Sequence, residues 1–256
     1  MNMKLCDMQY FTQYDGLVSD NISTSVADYP NKKKEFDLGY RTQISAVFSS
    51  NIEGNSLDLN SYMNLKLKKN NIYRKKEVGE IDDLISAYNF AQSNILNELN
   101  FKRSHAILSK HILIKSKQGN YRIEKIGVFS ETGLVYLAVE EQFVDKHMKG
   151  LFIDISQLLE RKLTIKEVLY FASFIHLRFV HIHPFTDGNG RAARLLEKWF
   201  LTSKLGSDYW LLLSEKYYKE HQQEYYKALD IGVNFYELNY SKCLPFLLML
   251  PKAFDD

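Results

Sequence analysis

The twelve residues HPFTDGNGRAAR, from His183 to Arg194, decide how the rest of this chain is read. They place a base, a carboxylate, two glycines and two arginines within one short segment. Apolar residues spaced by three and four precede it (Val168, Ala172, Ile175, Phe179) and follow it (Ala193, Leu196, Trp199, Phe200), which predicts a helix, loop, helix unit. The loop therefore feeds a helix start, where backbone N–H groups lack intrahelical partners and the dipole is positive, an arrangement suited to an anion. Gly188 and Gly190 let the backbone approach such a ligand closely. His183 is a candidate general base, because an imidazole takes up a proton at neutral pH. Asp187 suits Mg²⁺, which prefers one or two carboxylates together with phosphate oxygens and water. Asn189 and the amides of Gly188 and Gly190 would hold phosphate oxygens, and Arg191 and Arg194, three apart, share a helix face. Taken singly, a His-Pro pair or an Asp-Gly-Asn-Gly run is an ordinary turn. Their occurrence in this order between two helical patterns is what points to a polyphosphate and its metal. His176 and His181 are read as helix residues, since no third ligand at zinc spacing accompanies them.

The bulk properties set the frame. The chain has 256 residues, 45% of them hydrophobic, enough to bury a sizeable core. Lys and Arg number 33 against 31 Asp and Glu, a formal charge of +2, which argues neither for a nucleic-acid partner nor for an acidic tail. Cys6 and Cys243 stand far apart without a CxxC partner, so a reducing compartment fits best. The N-terminus lacks a signal-peptide run, and the apolar stretch from Leu244 to Leu250 is too short to cross a bilayer, so a cytoplasmic location without membrane attachment is expected. Export by a system that reads no cleavable signal would leave the same sequence.

Helical spacing recurs at Ile81, Leu84, Ile85, Tyr88, Ile95, at Ile107, Leu108, Ile112, and at Val144, Met148, Leu151, Ile155, Leu158. A further helix is expected from about Lys34 to Ser50, with Ser56 capping the next through Leu67. Four prolines, Pro30, Pro184, Pro245 and Pro251, interrupt the chain, and neither repeats nor an obvious interdomain linker occur. Between Tyr121 and Val139 the pattern changes to a β-hairpin around Ser130-Glu131-Thr132-Gly133, carrying Ile123, Ile126, Val128, Val135 and Leu137. A lone two-stranded ribbon must rest on something, and its edge can receive an extended peptide.

HPFTDGNGRAAR meets the Fic family signature HPFx(D/E)GN(G/K)RxxR at every defined position, and the chain resembles that family again in SSNIEGN at 49–55, GNYR at 119–122 and EYYKAL at 224–229. The resemblance implies a mainly α fold, a Fic-type helical bundle with one β-hairpin flap. It divides the chain into an N-terminal helical region, 1–103, carrying a motif at 49–54 and packed on the core, and a Fic core with C-terminal helices, 104–256. It implies a protein adenylyltransferase, which moves AMP from ATP to a Ser, Thr or Tyr hydroxyl of a target protein with Mg²⁺ as cofactor. Carried onto this chain, His183 would deprotonate the hydroxyl, Asp187 would hold Mg²⁺, and Asn189 with the amides of Gly188 and Gly190 would hold the α and β phosphates. Arg191 and Arg194 would engage the distal phosphates. Tyr225 and Tyr226 fall where relatives contact the nucleoside, with Asn234 nearby. Val128, Phe129 and Ser130 correspond to the flap that clamps the target by main-chain pairing.

Ser49 to Gly54 resembles the family's inhibitory motif (S/T)xxxE(G/N), in which Ser49, Glu53 and Gly54 are the defined positions. Glu53 would then pair with Arg194 and withhold it from the γ-phosphate. Some relatives use that glutamate to remove AMP from the modified target, so de-AMPylation stands beside transfer. The expected partners are a protein substrate and the chain itself, through auto-AMPylation and homodimer formation. The chain departs from many relatives at Ala138-Val139-Glu140-Glu141, where they carry a Pro-Pro pair, and no winged-helix appendage is expected after Pro251. Two rivals remain open at this point: a Fic-fold phosphotransferase of another kind, and a catalytically idle nucleotide-binding regulatory protein.

Overall fold

Residues 165–182 are apolar on almost every side, and the chain meets that demand by surrounding them with other helices. The computed structural model describes residues 5–33, 35–67, 75–130 and 133–254. Helices α1 (Phe11–Leu17), α2 (Ile22–Lys33), α3 (Leu38–Ile52), α4 (Leu59–Leu67), α5 (Lys75–Gln92) and α6 (Glu98–Leu108) lead into strands β1 (Gly127–Ser130) and β2 (Gly133–Leu137). After them come α7 (Glu141–Glu160), α8 (Ile165–Ile182), α9 (Asn189–Leu205), α10 (Ser214–Glu220), α11 (Gln222–Leu229), α12 (Leu244–Leu247) and α13 (Met249–Lys252). The fold is mainly α with a single two-stranded sheet among the described residues, as expected.

α8 and α9 pack against each other at the centre, and α1, α2, α7 and α12 cover α8 while α5, α6 and α7 lie on α9. Thr164 and Glu167 start α8 with a reciprocal capping box, and Pro184 helps to stop it, because the residue before a proline is disfavoured in the helical region. One cluster of buried side chains runs from Cys6 to Phe254. The N-terminal segment is tied down by the buried Asp154, whose carboxylate accepts the amides of Leu5 and Cys6 at 2.6 and 2.9 Å. The division expected at 103/104 falls inside α6, a continuous helix, with that same cluster on both sides.

Several local expectations are corrected. α3 starts at Leu38, because the Asp37 carboxylate accepts the amide of Tyr40 at 2.7 Å and caps the helix there. Lys34 lies outside the described residues. α4 is started by Asp58, which accepts the amide and hydroxyl of Ser61, whereas Ser56 is engaged by the Glu77 carboxylate. α6 ends at Leu108, so Ile112 belongs to the turns that follow.

Pro30 sits inside α2 without ending it. The amide it lacks would have served the carbonyl of Val26, and that carbonyl accepts the Tyr209 hydroxyl at 2.9 Å instead. The hairpin is shorter than its pattern suggests, since Ile123 and Ile126 precede β1 and Ile123 is exposed. Glu131 and Thr132 of its turn lie outside the described residues. β1 and β2 are antiparallel with an irregularity between Val128 and Phe129, where Val128 faces Tyr136 and Phe129 faces Leu134. No helix among the described residues is long and apolar enough to cross a membrane.

Candidate active site

The segment from His183 to Arg194 joins the two central helices, so both of its ends are anchored in the core. His183 closes α8 at φ +50°, the one positive φ outside glycine among the described residues. Its Nδ1 lies 3.3 Å from the Val180 carbonyl, which can only accept, so Nδ1 carries the proton and Nε2 presents its lone pair. Burial pushes the His183 imidazole down to about 4, with the charge of Arg122 adding to the effect, so the ring is neutral at pH 7.

Asn189 staples the loop, accepting the Phe185 amide at 2.9 Å and donating to the Phe185 carbonyl at 2.8 Å. Its side chain thereby holds the loop's backbone in shape. Asp187 is exposed and bonds the amide of Gly188 at 2.6 Å. Among the described residues no cluster of three His, Cys, Asp or Glu gathers around it. A single exposed carboxylate is the hard donor set that Mg²⁺ uses together with phosphate oxygens and waters, so the residues present fit that ion. Gly188 takes φ +79° immediately before α9, and a Cβ there would press on Leu108, Ile112 and His105.

Glu53, at the C-terminal cap of α3, reaches this helix start from the N-terminal part of the chain. A Cβ on Gly190 would lie within 2.9 Å of the Glu53 carboxyl carbon, so the missing side chain is what admits the carboxylate. Gly54, at φ +93°, turns the chain directly after it. The buried Arg194 donates through Nη2 to Glu53 Oε1 at 2.7 Å and to the Ser49 carbonyl at 2.9 Å, through Nε to Ser49 Oγ at 2.9 Å, and through Nη1 to the Tyr225 hydroxyl at 3.3 Å. Burial alone would raise the Glu53 carboxyl, yet Arg194 beside it holds it below the usual range. Burial opposes the Arg194 charge in the same way, and Glu53 more than offsets it, raising the guanidinium. Arg191 points elsewhere, 3.4 Å from Glu80 of α5.

The two tyrosines tie α11 to its neighbours. Tyr225 is buried, its hydroxyl between Arg194 and Nε2 of His176, whose Nδ1 meets Glu197 at 2.9 Å. Tyr226, half exposed, donates to the Ile52 carbonyl at 2.9 Å, and Gln222 and Lys219 bond the carbonyls of Ile52 and Asn51. α10 and α11 thus hold the end of α3 that carries Glu53. On the flap, Phe129 is 71% exposed and Val128 partly buried, and Ser130 pairs with Gly133 through the backbone. The underside of the flap rests on α8 through the Tyr136 hydroxyl, 2.6 Å from the His181 carbonyl. Asn234 bridges to Leu137 at the flap root, and its side chain caps the turn at Tyr236 and Glu237.

Two residues that carry the geometry were given no role by the sequence. His105 of α6 lies parallel to Phe185, ring centroids 3.5 Å apart, with Nε2 donating to the Asp187 carbonyl and Nδ1 accepting the Gly119 amide. A single histidine in a helical pattern offers no signal for such a part. Arg122 donates to carbonyls of both the loop and the flap root. It stands in the GNYR segment, whose likeness to other chains marked the place and not the function.

Residues 96–201 match the Fic/DOC family model. A protein adenylyltransferase Fic from Culex quinquefasciatus is 26% identical over 194 residues, 72% of this chain and 35% of the relative, so the chain spans about a third of that protein's length. Among solved structures, a Fic family protein from Desulfovibrio desulfuricans G20 superimposes with a TM-score of 0.76 at 22% identity, over 92% of this chain and 72% of that one. Fic-1 (residues 134–508) from C. elegans superimposes with a TM-score of 0.66 at 21% identity, over 92% and 69%. At these identities the structural likeness is one of fold. The family match, the intact loop and the helical frame around it agree, and residues 96–201 of this chain form a domain of the Fic/DOC family.

Proposed function

We propose that this chain is a protein adenylyltransferase whose resting state is held inactive by Glu53. The observation that carries the reading is the Glu53 carboxylate seated over Gly190 at the start of α9 while paired with Arg194 at 2.7 Å. An anion placed there stands in for a phosphate, and it takes the arginine that a terminal phosphate would use. The names of the relatives, protein adenylyltransferase Fic, support AMP as the transferred group.

In the reaction, Nε2 of His183 takes the proton of a target Ser, Thr or Tyr hydroxyl as its oxygen attacks the α-phosphorus of ATP. The bond to the β-phosphate oxygen breaks and pyrophosphate leaves. A neutral ring with Nδ1 pinned to Val180 is already in the form a base requires. The amides at the start of α9 and Arg194, once released by Glu53, stabilise the phosphate charge, so positioning and electrostatics supply most of the acceleration. Asp187 would hold Mg²⁺, which neutralises charge on the phosphates when bound. The flap would hold the target as an added strand.

Intact-mass spectrometry after incubation with ATP and Mg²⁺ tests this. Glu53→Gly is expected to gain one AMP moiety faster than the unaltered chain, and His183→Ala in that background to gain none. Gain of a phosphoryl group would point to a phosphotransferase, and no gain in Glu53→Gly to a nucleotide-binding regulator.

A further inference from the structure

Arg122 is 3% exposed, yet among the described residues no carboxylate oxygen lies within ion-pair distance of it. Its donors go to backbone carbonyls. Nε reaches the His183 carbonyl at 2.7 Å, Nη2 those of Val139 and Ile182 at 2.5 and 3.4 Å, and Nη1 that of Glu124 at 2.9 Å. Its own amide donates to the Pro184 carbonyl at 2.9 Å. These acceptors belong to two functional parts. Ile182, His183 and Pro184 are three consecutive carbonyls of the segment that bears the base, and Glu124 and Val139 lie just outside the two ends of the β1–β2 hairpin. A buried cation whose direct contacts are all carbonyl dipoles is a costly way to stabilise a fold, and here burial outweighs the more distant charges of Glu141, Glu124 and Glu140, leaving the guanidinium lowered.

We propose that Arg122 is a positioning residue that couples the flap to the catalytic loop, one guanidinium fixing the backbone of the base-bearing segment and both roots of the hairpin in a single register. A hydroxyl presented by the flap then arrives at the distance and angle set for Nε2 of His183. The strained backbone at His183, φ +50°, supports this, because the carbonyls on both sides of that residue are the ones Arg122 captures. The planar fork is what permits one side chain to serve both parts, and a lysine, with a point charge and no fixed fork, cannot reproduce it. The residue also places a positive charge beside the imidazole, which favours its neutral form.

The coupling of hydroxyl to base rests on the transfer reaction proposed above, so the test has one arm that uses activity and one that does not. In the Glu53→Gly chain, Arg122→Lys and Arg122→Gln are expected to bind ATP within about twofold of the parent and to transfer AMP to protein about tenfold more slowly or worse, as misplacement by a fraction of an ångström would predict. Transfer at the parent's rate, or a loss matched by an equal loss of ATP affinity, overturns the proposal. In the chain with Glu53 intact, hydrogen exchange measured on peptides is expected to quicken in 126–138 and in 182–188 together, with α2 and α5 unchanged. Quickening in one segment alone, or throughout the helices, overturns it as well. If Glu53→Gly transfers no AMP, the functional reading fails, and the exchange arm still decides the coupling.

Discussion

Arg194 shows how much of this site is decided by single side chains. It is the i+3 neighbour of Arg191, yet the two arginines part company, one to Glu80 on α5 and the other to Glu53 and Ser49 on α3. Behind Arg194 a buried chain of hydroxyl, imidazole and carboxylate continues through Tyr225, His176 and Glu197 to Tyr218. Tyr225→Phe would leave Arg194 Nη1 and His176 Nε2 each short of a partner away from water, at an expected cost of about 1–3 kcal/mol in urea unfolding. An unchanged midpoint would mean that both groups find other partners. Asn189→Ala is expected to cost a similar amount, about 1–3 kcal/mol, because it strands the Phe185 amide and carbonyl. The pairing of Glu53 with Arg194 and the placing of His183 and Asp187 on one loop were legible in the sequence, because they lie in two short motifs. The partners of Tyr225, Tyr226 and Asn189 were not, because a hydroxyl or amide in a motif carries no record of which distant backbone it will meet.

At the level of elements, the long helices follow their apolar spacing, and their ends follow cap chemistry that spacing does not express. α2 illustrates a break repaired from outside. Tyr209→Phe is expected to cost about 1 kcal/mol by leaving the Val26 carbonyl unpaired. In a Pro30→Ala background the restored amide can serve that carbonyl, so the same substitution should cost less, and equal costs in a double-mutant cycle would refute the repair. Gly188→Ala combines a left-handed φ with contacts on Leu108, Ile112 and His105, and about 1–2 kcal/mol of destabilisation is expected from the backbone alone. α9 is the element that pattern reading describes least well. Arg191, Arg194, Glu197 and Lys198 spaced along it would make a solvated face, and all four are buried. Each finds a partner from α3, α5, α8 or α10, so the helix is polar inside and covered on that side.

Across the whole molecule, imidazoles held low by desolvation set the response to acid. Burial lowers His105, His181 and His183 from 6.5 to about 4, so the native state binds fewer protons than the unfolded chain in between. Stability should therefore be complete above pH 6.5 and fall as the pH drops toward 4, with Glu53, whose carboxyl is held low, adding a further loss below its ordinary value. Thermal unfolding at intervals from pH 8 to 4 checks this, and a melting temperature that stays level below 6.5 would contradict it. The N-terminal helices and the Fic domain share one core, which is why Glu53 meets Arg194 across 141 residues of sequence. On the proposed reading that arrangement makes Glu53 a tethered competitor of nucleotide. Its potency is an effective concentration, on the order of millimolar for a short flexible tether and higher for a rigid one. The grip of Lys219, Gln222 and Tyr226 on the last carbonyls of α3 then works as a dial. On the same reading, whatever loosens that grip lowers the local concentration of carboxylate at Gly190, and so would set the nucleotide level at which transfer begins.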